Sequence, residues 1–549
     1  MQNIDIVVII VYFLGITAYG IWISRNMKSS DTYFRGGRKF KWWTMMGQAF
    51  GTGTHAEMPV AQAGAAFQGG FATIWYQWKN LLITPLFWLI APWYRRSERT
   101  TIAEMVRDRY GEKLSLFYTI FAILFFVFIM GAMLQGAAKI ISVASGGQIT
   151  SNWVVVGMTI AFMLYSFFGG LVAAAHTEFI QGLFIIILSF LLIPSGLTEI
   201  GGFSEMRNLL PEDFFWLYSE ETGLGAFTIA MLAVNGLVGI TAQPHMMSMF
   251  ATGESELVGR IGQTYGNFVK RLVTIGWTLT GLIVAAIVIQ QGIELEDPEH
   301  AFGYATNLLL APGLIGLMMA CILAANMSSC SNFMVNLGAL FTKDIYQPYI
   351  NPDASDKELL RTGRLTGVVL TLLGVVFALS IKNVLAAFLF TETIAAFMGI
   401  MIFGGVMWRG ANRYGAGAGV LVAFVLYYIL NYTATGEIKL VYRWTPEPFG
   451  WAMLAGFIVL IVVSKLTPAE PIQALNIFFK KMHTHSDQKE NEPVIEDKEL
   501  ILLDINEWFS KERWTHFSKR YRTDFFGFLF AWLFVAALIL LAWIILQIK

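Results

Sequence analysis

Apolar residues run along this chain in blocks of about twenty, separated by short polar stretches, which is the spacing a helix needs to cross a bilayer core. Read on that rule, the sequence predicts an all-α polytopic membrane protein of about fourteen helices. The spans are 4–24, 42–67, 71–94, 114–144, 151–170, 176–200, 227–250, 257–291, 308–342, 361–381, 384–408, 412–432, 447–465 and 524–547. The first span follows the acidic stretch Met1-Gln2-Asn3-Ile4-Asp5 and precedes a basic cluster, the reverse of a secretory signal, so it reads as a retained helix. Residues 466–523 interrupt the rhythm between a transmembrane domain, 1–465, and a last helix, 524–549. This connector holds a polar run from His483 to Glu492 that predicts a flexible segment. Then comes Ile505 to Trp514, whose pattern suits either an amphipathic helix on the membrane surface or an ordinary solvated linker.

Composition supports the same class. The 549 residues are 56% hydrophobic and 14% charged, whereas soluble domains carry about 25% charged residues, so lipid is the solvent. Lysine plus arginine equals aspartate plus glutamate, 38 against 38, which leaves no global field to attract nucleic acid. The distribution of charge is informative where its sum is not. Arg25, Lys28, Arg35, Arg38, Lys39 and Lys41 follow the first span, Arg95, Arg96, Arg99, Arg107, Arg109 and Lys113 the third, and Arg409 and Arg413 the eleventh. Those loops and the connector are predicted to face the cytoplasm of a plasma-membrane protein. Acid-rich loops with Glu205, Glu212 and Asp213, or with Glu294, Glu296 and Asp297, face the other way, and an even span count leaves both termini extracytoplasmic. Cys321 and Cys330 stand about 13 Å apart along one helix, too far for a disulfide.

Two spans carry backbone breakers that lipid would not tolerate unless the broken backbone lined a cavity. The second holds Gly51-Thr52-Gly53-Thr54-His55-Ala56-Glu57-Met58-Pro59, and the seventh holds Asn235-Gly236, Gly239 and Gln243-Pro244-His245. The two are five spans apart, an odd offset, so two five-helix repeats over about 42–200 and 227–432 would have opposite orientation, the inverted-repeat plan of many transporters. His55 and Glu57 add ionisable groups at the first break, which favours a cavity over mere close packing of glycines. In the ninth span Ala325, Ser328 and Ser329 share one helix face, and Ser331 and Asn332 repeat the spacing from Ser328. Such a ladder of neutral oxygens, facing unwound carbonyls, suits a hard cation, although one serine alone would normally bond its own helix. Glu178 opens the sixth span, where an acid interacting with the helix dipole and an acid in a binding site are equal readings.

Several stretches, in this order, resemble the sodium:solute symporter family over about residues 4–465. They are Ser30 to Arg38, Gly169-Gly170 with Thr177-Glu178 and Gln181, Ala325 to Ser329 followed by Leu340 to Tyr346, and Trp408-Arg409 with Tyr414-Gly415-Ala416. The resemblance implies a leucine-transporter-like fold with a 5+5 inverted-repeat core, alternating access and Na+ as coupling ion. It implies a main sodium site formed by carbonyls of Gly51, Thr54 and Ala325 and hydroxyls of Ser328 and Ser329. A second sodium site of some members maps to Glu178, Ser328, Ser331 and Asn332, with glutamate and asparagine standing where that family pattern has aspartate and serine. Against bacterial sodium–galactose transporters, Asn235 and Lys270 match sugar-contacting positions. Met58 and Gln77 replace a glutamine and a glutamate, and Val238 and Gly239 stand in place of an aromatic gate.

The function expected is therefore sodium-coupled symport of a small organic solute, a sugar or a related compound. His55, Glu57, Met58, Gln77, Asn235, Gln243 and Lys270 are expected to face a common space. Two other readings use the same fold: a solute sensor reporting through the connector, and a transporter driven by protons through Glu57, His55 or Glu178, or not coupled at all. No phosphate loop, metal-ligand cluster or nucleophile–base pair points to an enzyme. The expected partners are the solute, the sodium ion and the lipid bilayer.

Overall fold

In the computed structural model the described residues are 2–24, 39–51, 54–485, 499–509 and 514–548, and the side chains of 13, 16, 17, 20, 21, 23, 24, 165, 167–179, 181, 518 and 519 are not among them. Helices dominate because a segment in lipid can satisfy its backbone donors and acceptors only within itself. They are α1 Asn3–Ser24, α2 Trp42–Gly51, α3 Glu57–Gly69, α4 Trp75–Ser97, α5 Ile102–Tyr110, α6 Glu112–Ala144, α7 Ser151–Ile200, α8 Ala226–Ile240, α9 Met246–Ala251 and α10 Glu256–Gln291. The second half has α11 Ala301–Leu309, α12 Leu314–Phe341, α13 Asp356–Ser380, α14 Val384–Met407, α15 Arg413–Thr435, α16 Pro446–Leu466, α17 Ile472–His483 and α18 Arg522–Leu546. Among the described residues nine helical stretches are long and apolar enough to cross a membrane unaided.

Both predicted interruptions are present. The second span divides into α2 and α3, and the seventh into α8 and α9, with Thr241 to His245 between them. One expectation does not hold. Spans predicted at 151–170 and 176–200 form the single helix α7, because Gly169 and Gly170 permit a break without imposing one and no proline or cap stops the ladder there.

α10 is the central helix, buried among α2, α3, α4, α7, α9, α11 and α18, while α12 packs on α1, α6, α7 and α13. Close approach depends on missing side chains at two points. A Cβ on Gly136 of α6 would stand 2.6 Å from Cα of Glu57 at the start of α3, and one on Gly399 of α14 would strike the carbonyl of Val238 in α8. In lipid, where apolar association gains little over apolar solvation, such contact is the main source of cohesion.

The loops form two polar layers. In the basic layer Arg96 pairs with Glu256 at 2.9 Å and donates to the carbonyl of Met482 at 2.8 Å. Arg109 donates to the carbonyls of Gly405 and Ala411, both at 2.8 Å, and Arg413 pairs with Glu470. In the opposite layer Lys139 bonds Asp297 at 2.7 Å and Glu299 at 2.6 Å. Glu299 in turn accepts from the backbone N–H groups of Val384 and Leu385, and buried Asp5 caps α12 by accepting from Gly313 at 2.6 Å and Gly316 at 3.0 Å.

The connector departs from expectation. Its amphipathic helix is α17, whose Leu475, Phe478, Phe479 and Met482 are buried against α4 and α5. This helix begins after Pro471, some thirty residues before the predicted one. Ile505–Phe509 form one short 3-10 turn with no buried residue, and most of the polar run from His483 to Glu492 lies outside the described residues, as do 510–513.

Candidate functional site

A helix start in lipid leaves backbone donors that water cannot satisfy. At the first break Ala56 N–H donates to Oδ1 of Asn326 at 3.1 Å, and Asn326 Nδ2 donates to the carbonyl of Met133 at 2.7 Å. Asn326 is fully buried in α12, so one amide joins the break, α12 and α6. On the other side of the break, Thr54 N–H donates to the carbonyl of Gly51 at 3.0 Å and its hydroxyl to that of Phe50. Thr52 and Gly53 lie outside the described residues.

Next to Asn326 stand Ala325, Ser328, Ser329, Ser331 and Asn332, all buried. Many buried hydroxyls elsewhere in the helices donate to the carbonyl four residues back, as Thr159, Ser166, Thr306 and Thr391 do, while Thr264 and Thr371 stand singly without a partner among the described residues. The hydroxyls of Ser328, Ser329 and Ser331 have no hydrogen-bond partner among the described residues. An unbonded buried hydroxyl is costly, about 1–3 kcal/mol, so three in two turns mark oxygens reserved for something else. Neutral hydroxyls and carbonyls are the donor set of a hard monovalent cation. Asn332 Oδ1 accepts from Asn336 at 2.6 Å, and the Glu178 side chain is outside the described residues.

At the second break the freed carbonyls of Thr241 and Ala242 accept from the hydroxyls of Tyr94, at 3.0 Å, and Tyr118, at 2.7 Å. Between the two breaks lies a cavity of about 70 Å³. Four of the expected residues line it: His55, Met58, Gln243 and Lys270. The other three are in the wall. Glu57 is paired with His55, and Gln77 Nε2 donates to the Met58 carbonyl at 2.7 Å. Asn235 accepts from Lys79 at 3.0 Å and donates to Thr393 at 3.2 Å, so both ends of its amide are engaged away from Lys270.

The chemistry that sequence reasoning missed is ionic. Fully buried Lys79 is paired with Glu392, which reaches the cavity from α14, and Arg271 lines the cavity beside Lys270. Ionisable residues in the middle of apolar spans are a functional signal by themselves, and the rule applies to Lys79 and Glu392 without any structure.

Comparison with known proteins follows the same line. The family model of the Sodium:solute symporter family matches residues 33–423. The high-affinity proline transporter of Bacillus subtilis (strain 168) is 30% identical over 73% of this chain and 85% of its own length. The sodium/glucose cotransporter of Vibrio parahaemolyticus is 24% identical over 79% of this chain and 86% of its own. A substrate-bound, outward-open Na+-coupled sialic acid symporter has the same fold, with a TM-score of 0.71 at 18% identity over 85% of this chain and 99% of that one.

Proposed function

Because the chain belongs to the sodium:solute symporter family, we propose that it moves a small polar organic solute, a sugar or a related compound, through the central cavity by alternating access. It is a multi-pass membrane transporter and not an enzyme, and sodium is its coupling ion. The reading assigns the main sodium ion to the carbonyls of Gly51, Thr54 and Ala325 and the hydroxyls of Ser328 and Ser329. A second ion is assigned to Glu178, Ser331 and Asn332.

The observation that carries it is the set of unbonded serine hydroxyls on α12, next to the amide that holds the first break. An ion bound there ties α12 to the unwound segment, and a solute in the cavity touches His55 and Met58 of that same segment. Each ligand then stabilises the arrangement the other prefers, a reciprocal linkage typically worth about 1–3 kcal/mol, or roughly 5- to 150-fold in affinity. The reading includes core repeats over 42–200 and 227–432, and both termini outside the cell.

The test is uptake into proteoliposomes under a sodium gradient and under choline. Wild-type uptake should require sodium, and Ser328→Ala with Ser329→Ala should abolish the sodium stimulation while the protein still elutes as a folded species. Full sodium stimulation in the double variant would remove the ion from this site.

A further inference from the structure

The central cavity carries a charge imbalance that sodium symport of a neutral solute leaves unexplained. Three cations stand around it, Lys79, Lys270 and Arg271, against two carboxylates, Glu57 and Glu392. Glu392 is paired with Lys79, which also bonds Asn235, and Glu57 lies against the His55 imidazole, so the count leaves one cation in excess. Lys270 and Arg271 are the two cations that make no contact ion pair. They are 6% and 2% exposed, both line the cavity, and neither has an ion pair or a side-chain hydrogen bond among the described residues. The Arg271 Nε atom is buried with no partner.

The groups facing them from neighbouring elements do not repair this. The first break presents His55, the second break presents His245, α4 presents Asn80, and α14 presents Glu392, already held by Lys79. A buried cation without a counter-charge is strongly disfavoured and survives where the counter-charge arrives with a ligand. We infer that the solute is a small organic acid whose carboxylate is received between Lys270 and Arg271.

This inference rests on the cavity being the solute site. The planar fork of a guanidinium matches a carboxylate with two parallel hydrogen bonds, and the ammonium beside it adds a third donor. Amides of Gln243 and Asn267 face the same space and suit hydroxyl groups on the remainder of the molecule, so a hydroxylated acid fits better than a plain fatty acid. A sodium ion bound nearby adds positive charge, so acid and sodium should strengthen each other's binding.

The experiment measures thermal shifts of the purified full-length protein with matched pairs that differ in charge: galacturonate and galactose, gluconate and glucitol, lactate and 1,2-propanediol. Each pair is run in sodium and in choline. At least one acid should raise Tm in sodium while its neutral partner does not, and Arg271→Gln should weaken that acid about tenfold or more. The sodium-induced shift itself should persist in the variant, showing that the site and not the fold was lost. Should Arg271→Gln fail to fold, Lys270→Gln carries the comparison. Equal shifts from acid and neutral partner, or no shift from any acid, would overturn the inference. Sodium-driven uptake of a neutral member would do so too while leaving symport standing, whereas an acid that binds and is taken up equally in choline would remove symport and leave the acid assignment intact.

Discussion

At the scale of single residues, the serine ladder was legible because spacing of three and four places side chains on one helix face whatever surrounds it. Asn326, one position along from Ala325, lies within the same motif. Its importance lies in two partners far away in sequence, Ala56 and Met133, which no local pattern encodes. The Lys79–Glu392 pair escaped for the same reason, since its members are on α4 and α14. Asn326→Ala should leave the Ala56 N–H unbonded and remove the second bond to the Met133 carbonyl, which keeps its bond within α6. At about 1–3 kcal/mol for the orphaned donor, Tm should fall by a few degrees. Asn326→Asp keeps the acceptor for Ala56 but offers no donor to Met133. A charged side chain there would also be unpaired, so this variant should be worse still. Tm measured with and without sodium checks both, and an unchanged Tm for Asn326→Ala would show that the amide does not hold the break.

Whole elements were easier to read than their limits. Blocks of apolar residues and clusters of glycine with proline gave both interrupted spans, because breaking a helix in lipid leaves a compositional trace. The uninterrupted α7 shows the converse, since glycine pairs make a break possible and tertiary contacts decide whether it is used. In the connector, the apolar positions 475, 478, 479 and 482 follow the helical period after Pro471, so α17 was present in the pattern and overshadowed by the aromatic stretch further on. Arg109 and Arg409 lie over the ring of Phe479, with guanidinium-to-ring distances of 5.7 and 5.3 Å. Phe479→Ala removes both a buried ring and the face these cations use, a loss of about 3–5 kcal/mol for a core aromatic. Limited proteolysis of the purified protein should then cut between α17 and residue 499 markedly faster than in the wild type. Equal cleavage rates would mean that α17 is not held by this contact.

For the molecule as a whole, charge in the loops predicts sidedness, with Arg96, Arg109 and Arg413 in one polar layer and Asp297 and Glu299 in the other. What the loops could not reveal is which helices lie side by side, because lateral neighbours in lipid are chosen by shape. Sidedness can be checked with cysteines at exposed positions, since native Cys321 and Cys330 are both buried and contribute little background. Glu437→Cys should react with a membrane-impermeant thiol reagent in intact cells, and Thr484→Cys should react only after the cells are opened. The reverse pattern would invert the topology.

The last helix has a consequence for the order in which the protein is made. α18 rests on α4 and α10, not on α16, the crossing helix synthesised before it. Arg260 in α10 pairs with Asp524, the Trp88 indole donates to the Thr523 carbonyl at 2.9 Å, and the Trp88 ring lies against Gly527, where a side chain would not fit. During translation the groove between α4 and α10 must therefore wait, with Arg260 held by Glu256 and the Trp88 carbonyl, until more than two hundred and fifty further residues have left the ribosome. Closure of that groove reports that α18 has been inserted.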